Sequence, residues 1–383
     1  MKILFVINNA YTKGNGLCGS CRNTVRYLRE AGEDVRILSA AGMDGEKPDY
    51  VLPHGKLPFF DGLVQRQGYS FAKGDRKVIT EAVRWADVVH IEEPFAVQIL
   101  TCRIARKEKK TITGTYHLHP ENMFCSVHLG KSPILNFSTM ILWRNAIFNH
   151  CKIVQCPTEN VRKRLSTWHF KPELRVISNG MLPDSVGEGE CAVPREERKD
   201  GFYTIVTTGR CSVEKDQRTL LRAMRYSKFA DRIRLVIAGR GPIENQLKKE
   251  ADALVRDGVL KTPPEFCFCN ADELKKIYSG ASLYIHCATV EVEGMSCMEA
   301  IQTGLVPIIA KAKLSATSQF ALSEESLFKG GNAKELAAKI DWWLSDDERR
   351  KKEAVRYLGM GKEYDIRKSI ESLRKMFRDA IEK

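Results

Sequence analysis

Short apolar segments alternate with amphipathic ones along most of this chain, and this alternation limits the folds that it can adopt. The apolar segments have the length of buried strands, and the amphipathic ones between them, such as residues 159–165 and 243–255, have helical periodicity. The predicted strands form two series, residues 2–7, 34–38, 86–91, 111–117, 152–156 and 174–177, and then residues 203–207, 233–238, 282–286 and 306–310. Strands that alternate with helices form parallel sheets covered on both faces. The sequence therefore predicts an α/β protein with two doubly wound parallel-sheet domains.

The two series are separated by residues 180–202, which carry Pro, Gly and charged residues without periodicity. We interpret residues 181–202 as a linker between an N-terminal domain, residues 1–180, and a C-terminal domain, residues 203–360. A chain of 383 residues is long enough for two cores. In the remaining residues, 361–383, apolar side chains recur at helical spacing with Arg and Lys between them. This pattern predicts an amphipathic helix that packs back on the N-terminal domain.

Hydropathy and charge narrow the class of protein. The apolar run at the N-terminus ends at Asn8, too short for a signal peptide, and no other run reaches membrane-spanning length. We therefore expect a cytoplasmic protein. The formal net charge of +13 favours partners that carry phosphate, whether a nucleotide, an anionic lipid or a nucleic acid. A solvated basic surface would give the same charge.

Cysteine usage agrees with a reducing compartment. The 12 cysteines are scattered along the chain, as in proteins with reduced thiols. Cys18 and Cys21 form a C-x-x-C pair, which is the spacing of redox and zinc sites. No second pair follows at ligand spacing, so we interpret both as small residues in a tight turn.

Four polar clusters follow predicted strands, at the positions where open parallel sheets bind ligands. The first contains Gly14 and Gly16, whose backbone a ligand can approach and whose following helix offers N–H groups to an anion. A Gly-rich turn that serves packing is the alternative. The second contains Arg210 and Lys215, which suit a diphosphate because Arg binds as a fork and Lys as a point charge. The alternative is a surface ion pair of these cations with Glu214 or Asp216.

The other two clusters carry carboxylates and histidines. In residues 291–300, Gly294 allows a ligand to reach a helix N-terminus, and Glu291 and Glu299 can accept hydrogen bonds from hydroxyls. An acid-rich first turn of a helix is the structural alternative. After the strand predicted at 111–117, His117 or His119 can donate to an oxyanion or a sugar hydroxyl. The spacing alone does not distinguish these two histidines.

Taken together and in this order, the clusters resemble the retaining GT-B glycosyltransferases with an E-x7-E motif, of the glycosyltransferase family 4 type. The likeness includes residues 176–180 and 237–242, and it is most specific over residues 291–307. Within the family, the chain looks most like the diacylglycerol glucosyltransferases, on Asn15-Gly16 and on residues 89–95, 114–117 and 291–295. Three positions depart from that branch, and they bear on the acceptor and the donor sugar: His119-Pro120, Cys287 and Val292-Glu293.

The resemblance implies two Rossmann-like domains that face a central cleft and a metal-independent hexosyltransferase that retains anomeric configuration. UDP-glucose would be the donor, and a lipid such as diacylglycerol would be the acceptor. Arg210 and Lys215 would hold the diphosphate, Glu299 the ribose hydroxyls and Glu291 the hydroxyls of the sugar, and His117 would lie at the reaction centre. The remaining donor-binding positions are Gly16, Gly241, Gly294, Met295 and Ser296. The chain has no D-x-D pair, so we expect no metal and no further cofactor.

Apolar and basic residues are interleaved in residues 57–77, a pattern that suits a segment lying on anionic lipid. The apolar ones are Phe59, Phe60, Leu63, Val64, Tyr69 and Phe71, the basic ones are Arg66, Lys73, Arg76 and Lys77, and Arg103, Arg106, Lys107, Lys109 and Lys110 add charge further along. We therefore expect peripheral attachment to the inner face of the cell membrane, with an ordinary loop as the alternative, and no nucleic-acid partner.

Three other functions stay open at this point. One is a glycosyltransferase of capsule, lipopolysaccharide or other glycan synthesis, with a different acceptor. The second is a nucleotide-binding dehydrogenase, which neither domain supports with a complete dinucleotide fingerprint. The third is a non-catalytic sugar-nucleotide binding protein.

Overall fold

A computed structural model of the chain describes residues 1–12, 15–42, 45–55, 70–125, 129–183 and 201–383. These residues divide into two compact units, an N-terminal one of residues 1–120, 131–180 and 366–383 and a C-terminal one of residues 121–130 and 181–365. Each unit is built on one parallel sheet, so the predicted class of two parallel-sheet α/β domains is confirmed. The predicted lipid-binding segment lies largely outside the described residues, which exclude its apolar and basic residues from Phe59 to Tyr69. Gly14 and most of the predicted linker also lie outside them.

Among the described residues, the sheet of the N-terminal unit has seven parallel strands in the order β3-β2-β1-β4-β5-β6-β7. The strands are β1 (Lys2–Val6), β2 (Asp34–Ala40), β3 (Tyr50–Leu52), β4 (Val88–Ile91), β5 (Thr111–Thr115), β6 (Ile153–Cys156) and β7 (Glu173–Val176). The described helices of the first 180 residues are α1 (Gly16–Glu30), α2 (Arg76–Trp85), α3 (Ala96–Lys107), α4 (Pro120–Cys125), α5 (Pro133–Ala146) and α6 (Glu159–Thr167). Of these, α4 falls in the C-terminal unit from Glu121 onward. The strand order reverses between β1 and β4, which is where doubly wound sheets bind their ligands.

The C-x-x-C pair lies in α1 rather than in a tight turn, so that interpretation was wrong. Asn15 caps the helix through its side chain, and Cys18 and Cys21 fall on the buried face one turn apart. Burial raises the pKa of the Cys18 thiol to about 12 and that of Cys21 well above its usual value, so both stay protonated. Among the described residues, no group of three or more His, Cys, Asp or Glu side chains is placed to hold a metal ion.

The last helix of the chain, α13 (Ile366–Glu382), belongs to the N-terminal unit. Its Phe377 ring packs on Phe5, with ring centroids 6.3 Å apart, and on His90, at 5.2 Å. Arg374 Nε donates to Glu33 Oε1 over 2.7 Å. The helix thus contributes both apolar and charged contacts to the N-terminal unit.

In the described part of the C-terminal unit, the main sheet has six parallel strands in the order β10-β9-β8-β11-β13-β15, and β12 and β14 form a separate two-stranded parallel ribbon. The strands are β8 (Tyr203–Thr208), β9 (Ile233–Ala238), β10 (Glu265–Cys267), β11 (Leu283–His286), β12 (Val290–Glu291), β13 (Pro307–Lys311), β14 (Leu314–Ser315) and β15 (Leu327–Lys329). The helices are α7 (Gln217–Met224), α8 (Glu244–Arg256), α9 (Ala271–Ser279), α10 (Met295–Gln302), α11 (Ala333–Leu344) and α12 (Asp347–Gly361). Here the order reverses between β8 and β11.

No helix in the described ranges is long and apolar enough to cross a membrane.

Candidate active site

The predicted donor-binding residues of the C-terminal unit gather at the reversal point of its sheet. β8 ends at Thr208 and β11 ends at His286, and these two strands are neighbours. Arg210 and Lys215 follow β8, whereas Glu291 follows β11. Since the carboxyl ends of parallel strands meet at one edge of the sheet, side chains far apart in sequence come together here.

The loop that carries Arg210 is fixed by glycines. Gly209 and Gly239 have φ of +130° and +151°, and a Cβ on Gly239 would lie 2.0 Å from the Gly209 carbonyl oxygen. A Cβ on Gly241 would lie 2.2 Å from the carbonyl oxygen of Cys211. Only glycine allows backbones to approach so closely. The sequence assigned Gly241 to donor binding, and the structure shows that its missing side chain lets the two loops pack.

Arg210 makes one of the ion pairs that the sequence left as an alternative. Its Nη2 donates to Glu214 Oε1 over 2.7 Å, and Ser212 Oγ donates to the same oxygen over 2.7 Å. The Glu214 side chain is 1% exposed and that of Arg210 is 32% exposed. The buried carboxylate therefore orients a guanidinium that remains accessible to an anion.

Lys215, Glu291 and His286 form the centre of this cluster. Lys215 Nζ donates to Glu291 Oε2, and His286 Nε2 lies 3.7 Å from that oxygen. Burial alone would raise the pKa of Glu291, but the charge of Lys215 lowers it below its usual value. Burial lowers the pKa of His286 to about 4, so its imidazole is neutral at pH 7. The cluster thus places an ammonium and an ionised carboxylate side by side.

A helix N-terminus lies next to these charges along the chain. Gly294 has φ of +89°, and a Cβ at this position would lie 2.5 Å from Thr317 Oγ1. α10 begins directly after it, at Met295, and Ser296 Oγ accepts a hydrogen bond from Tyr284 OH over 3.0 Å. The first N–H groups of a helix are stabilised by an anion. A phosphate is therefore a chemically suitable occupant at Gly294, Met295 and Ser296.

Glu299 lies in the second turn of α10 and is partly buried. Burial raises the pKa of its carboxyl to about 7. A carboxylate with this pKa is half protonated at neutral pH, and it gains acceptors for hydroxyl groups as it ionises.

Because Glu299 has a raised pKa in the folded protein, we expect it to make the stability of the ligand-free protein fall with rising pH. The unfolded chain ionises Glu at about pH 4.3 and the folded one at about 7. The stability that protonated Glu299 contributes is therefore complete below about pH 4.3 and lost as the pH rises through about 7. Glu299→Gln should flatten the fall in Tm between pH 5 and pH 8, relative to the exposed control Glu371→Gln. Parallel Tm curves for the wild type and Glu299→Gln would show that the assigned pKa is wrong.

In the N-terminal unit, the structure distinguishes the two candidate histidines. His117 lies two residues beyond β5, because this strand ends at Thr115 rather than at the predicted residue 117. His117 Nε2 is 2.9 Å from Glu92 Oε2. His119 is fully buried, its Nδ1 lies 3.3 Å from Tyr116 OH, and burial lowers its pKa well below the usual value. His119 is therefore a core histidine, and His117 stays the candidate.

Gly16, the other predicted residue of this unit, is the first residue of α1. A Cβ at this position would have no atom within 4 Å, so its backbone is approachable. The side chain of Asn15 accepts from Leu17 N–H over 3.0 Å and from Cys18 N–H over 3.4 Å. The helix N-terminus is thus partly satisfied by its own cap.

Three residues of these clusters were not singled out as candidates from the sequence. His286 was the last residue of a predicted strand. This position could have indicated a site residue, because ligands bind at the carboxyl ends of parallel strands. In the sequence, His90 belongs to an apolar predicted strand and Glu92 follows that strand. In the structure, Glu92 Oε1 lies 3.1 Å from His90 Nε2. Their contacts depend on the register of neighbouring strands, which the sequence does not give.

Two family models match this chain. The model described as Glycosyltransferase Family 4 matches residues 15–184, and the model described as Glycosyl transferases group 1 matches residues 192–355. Among curated proteins, the alpha-monoglucosyldiacylglycerol synthase of Streptococcus pneumoniae is 28% identical over 325 residues, which are 81% of this chain and 71% of that protein.

Several solved structures are also similar to this chain. The crystal structure of Alr3699/HepE from Anabaena in complex with UDP and glucose has a TM-score of 0.75 and is 14% identical, over 99% of this chain and 100% of that one. This similarity shows that the two chains share a fold. The catalytic domain of cholesterol-alpha-glucosyltransferase from Helicobacter pylori is 41% identical over 42% of this chain and 98% of that one, with a TM-score of 0.39.

Proposed function

We propose a donor and an acceptor for this chain, which belongs to the GT-B glycosyltransferases with a Glycosyltransferase Family 4 domain followed by a group 1 domain. The proposed reaction transfers glucose from UDP-glucose to a lipid acceptor such as diacylglycerol, with retention of anomeric configuration. The observation that carries the donor site is the contact of Lys215 with Glu291, in the same unit as Arg210 and the N-terminus of α10.

The departing UDP is the group that these residues stabilise. Breaking the bond between glucose and phosphate leaves charge on the diphosphate, and Arg210, Lys215 and the N-terminus of α10 each favour that charge. Lys215 carries three N–H donors, so it can hold Glu291 and a phosphate oxygen together. We propose that these groups do the work that a metal ion does in other transferases.

Two carboxylates are proposed to accept hydrogen bonds from the hydroxyls of the donor. Glu291 accepts from the hydroxyls of the transferred sugar, because Lys215 keeps it ionised, and Glu299 accepts from the ribose. Retention follows if the acceptor attacks from the face that the phosphate leaves, with the phosphate oxygen taking the acceptor proton. His117 is proposed to contact the transferred sugar.

Two observations support a lipid acceptor, the name of a relative and the net charge of the chain. The S. pneumoniae relative is named for the synthesis of monoglucosyldiacylglycerol, and a net charge of +13 suits an anionic lipid surface. We therefore propose peripheral contact with the cytoplasmic face of the membrane. The alternative is a soluble or polymeric glycan acceptor, as in capsule or lipopolysaccharide synthesis.

A paired assay tests donor and acceptor separately. Thermal stabilisation by UDP-, GDP- and ADP-sugars identifies the donor, because a ligand that binds the folded state raises Tm. The successful donor is then incubated with diacylglycerol, a sterol and soluble saccharides in the presence of EDTA, and the anomeric configuration of the product is read by NMR. We expect a UDP-glucose shift and an α-glucolipid. Transfer only to saccharides would replace the acceptor, whereas stabilisation by NAD alone would overturn the transferase assignment of the site.

A further inference from the structure

We propose that Glu92 is a positioning residue that fixes the imidazole of His117, with Nε2–H held by the carboxylate and Nδ1 left for the substrate. The inference rests on the proposed function, because it takes His117 as the residue that contacts the transferred sugar. Glu92 directly follows β4, and His117 follows the neighbouring β5 by two residues. The two strands pair in parallel, with His90 opposite Thr113, so their ends deliver both side chains to one place.

Each oxygen of Glu92 meets a different histidine. Oε2 lies 2.9 Å from His117 Nε2, and Oε1 lies 3.1 Å from His90 Nε2. Burial alone would raise the pKa of Glu92, but the two histidines lower it to about 2, so the carboxylate is ionised at neutral pH. An ionised carboxylate only accepts hydrogen bonds, and therefore Nε2 of both histidines carries a proton.

The second histidine prevents the carboxylate from turning away. His90 is 1% exposed, and its Nδ1 lies 2.9 Å from Thr113 Oγ1. Its Nε2 also lies 2.9 Å from Thr115 Oγ1, which in turn donates to Gln155 Oε1 over 2.7 Å. A side chain locked on both ring nitrogens orients its own partner. Glu92 is thus anchored on one oxygen by the core and presents the other to His117.

The contact with Glu92 determines which tautomer the neutral imidazole of His117 adopts. In the neutral form of His117, Glu92 holds Nε2–H and Nδ1 is an acceptor. This nitrogen suits a hydroxyl of a hexose, and the 8% exposure of the His117 side chain leaves it little room to turn. A wrong tautomer or a turned ring would present an N–H where an acceptor is needed.

The test is Glu92→Gln, alone and in a His117→Ala background. The amide keeps the shape of the carboxylate but can donate as well as accept, so it no longer dictates the tautomer. We expect turnover of UDP-glucose to fall roughly 10- to 100-fold in the wild-type background, by analogy with other residues that orient a histidine. The Kd for UDP-glucose should change less than about twofold, since the diphosphate site lies elsewhere in the chain. In the His117→Ala background, Glu92→Gln should lower residual turnover by less than about twofold.

Two further measurements keep this inference separate from the proposed function. The ¹⁵N spectrum of ring-labelled protein should show the Nε2–H form of His117 in the wild type and a mixture in Glu92→Gln, whatever the substrate is. Glu33→Gln, at another buried carboxylate of the same unit paired with Arg374, should leave turnover unchanged. An equal loss of turnover from Glu92→Gln with and without His117, or an Nδ1–H form in the wild type, would overturn the proposal. Failure to turn over UDP-glucose with the expected tautomer present would instead refute the proposed function.

Discussion

Lys215→Ala is expected to lower turnover of UDP-glucose by roughly 100- to 1000-fold, the loss typical when one charged group that stabilises a leaving group is removed. Two effects combine in this variant. The departing diphosphate loses an ammonium, and Glu291 loses the hydrogen-bonded partner that keeps it ionised in a buried place. The measurement is the initial rate of UDP release at saturating donor.

A matched control and a second variant separate these two effects. Lys261→Ala removes a surface lysine whose only described ion pair, with Asp231, is exposed, and it should leave the rate unchanged. The double variant Lys215→Ala/Glu291→Gln removes the unpaired buried charge of Glu291. It should therefore be more stable than Lys215→Ala alone, but it should not regain turnover. A Lys215→Ala enzyme with at least half of the wild-type rate would show that Lys215 does not act on the diphosphate.

Gly239→Ala is expected to lower the free energy of unfolding of the C-terminal unit by about 3 kcal/mol or more. The added Cβ would lie 2.0 Å from the Gly209 carbonyl oxygen, and the φ of +151° is strained for any other residue. Because that carbonyl belongs to the loop that carries Arg210, donor binding should weaken with stability. The measurement is urea unfolding followed by hydrogen exchange of peptides from the C-terminal unit.

Gly258→Ala provides the control for backbone strain. Gly258 has φ of +72°, but a Cβ there would meet no atom within 4 Å. This substitution should cost only about 1 kcal/mol, the cost of a left-handed conformation without a collision. Equal losses from the two substitutions would show that the close approach of the two loops is not present in solution.

The sequence predicted the fold well where strands were long and buried. Residues 233–238 were predicted as a strand and form β9 without change, because their apolar run has no competing pattern. The edge strands β3, β10 and β15 were missed, because strands of three residues such as Tyr50–Leu52 and Glu265–Cys267 carry too few residues for a period to show. The edge strand β7 was predicted at 174–177 and lies at Glu173–Val176. The strand predicted at 111–117 was two residues too long, since Tyr116 and His117 are as compatible with a strand as with the loop they form.

The sequence identified most residues of the candidate site but not which of them contact each other. Arg210, Lys215, Glu291 and Gly294 were selected because they follow predicted strands, at the edge where open parallel sheets bind ligands. Which carboxylate pairs with which cation depends on contacts across 76 residues, as between Lys215 and Glu291, and these follow from strand order rather than from spacing. The orientation of His117 by Glu92 depends on register in the same way.

Lys215, Glu291 and Glu299 are proposed to bind a nucleotide-sugar. The most direct test is a calorimetric titration of UDP-glucose into the wild type, Lys215→Ala, Glu299→Ala and Lys261→Ala. The predicted result is saturable binding to the wild type and to Lys261→Ala, with affinity at least roughly tenfold weaker in the other two variants, a loss of about 1.4 kcal/mol or more. Equal affinity in all four proteins, or no heat of binding in the wild type, would contradict it.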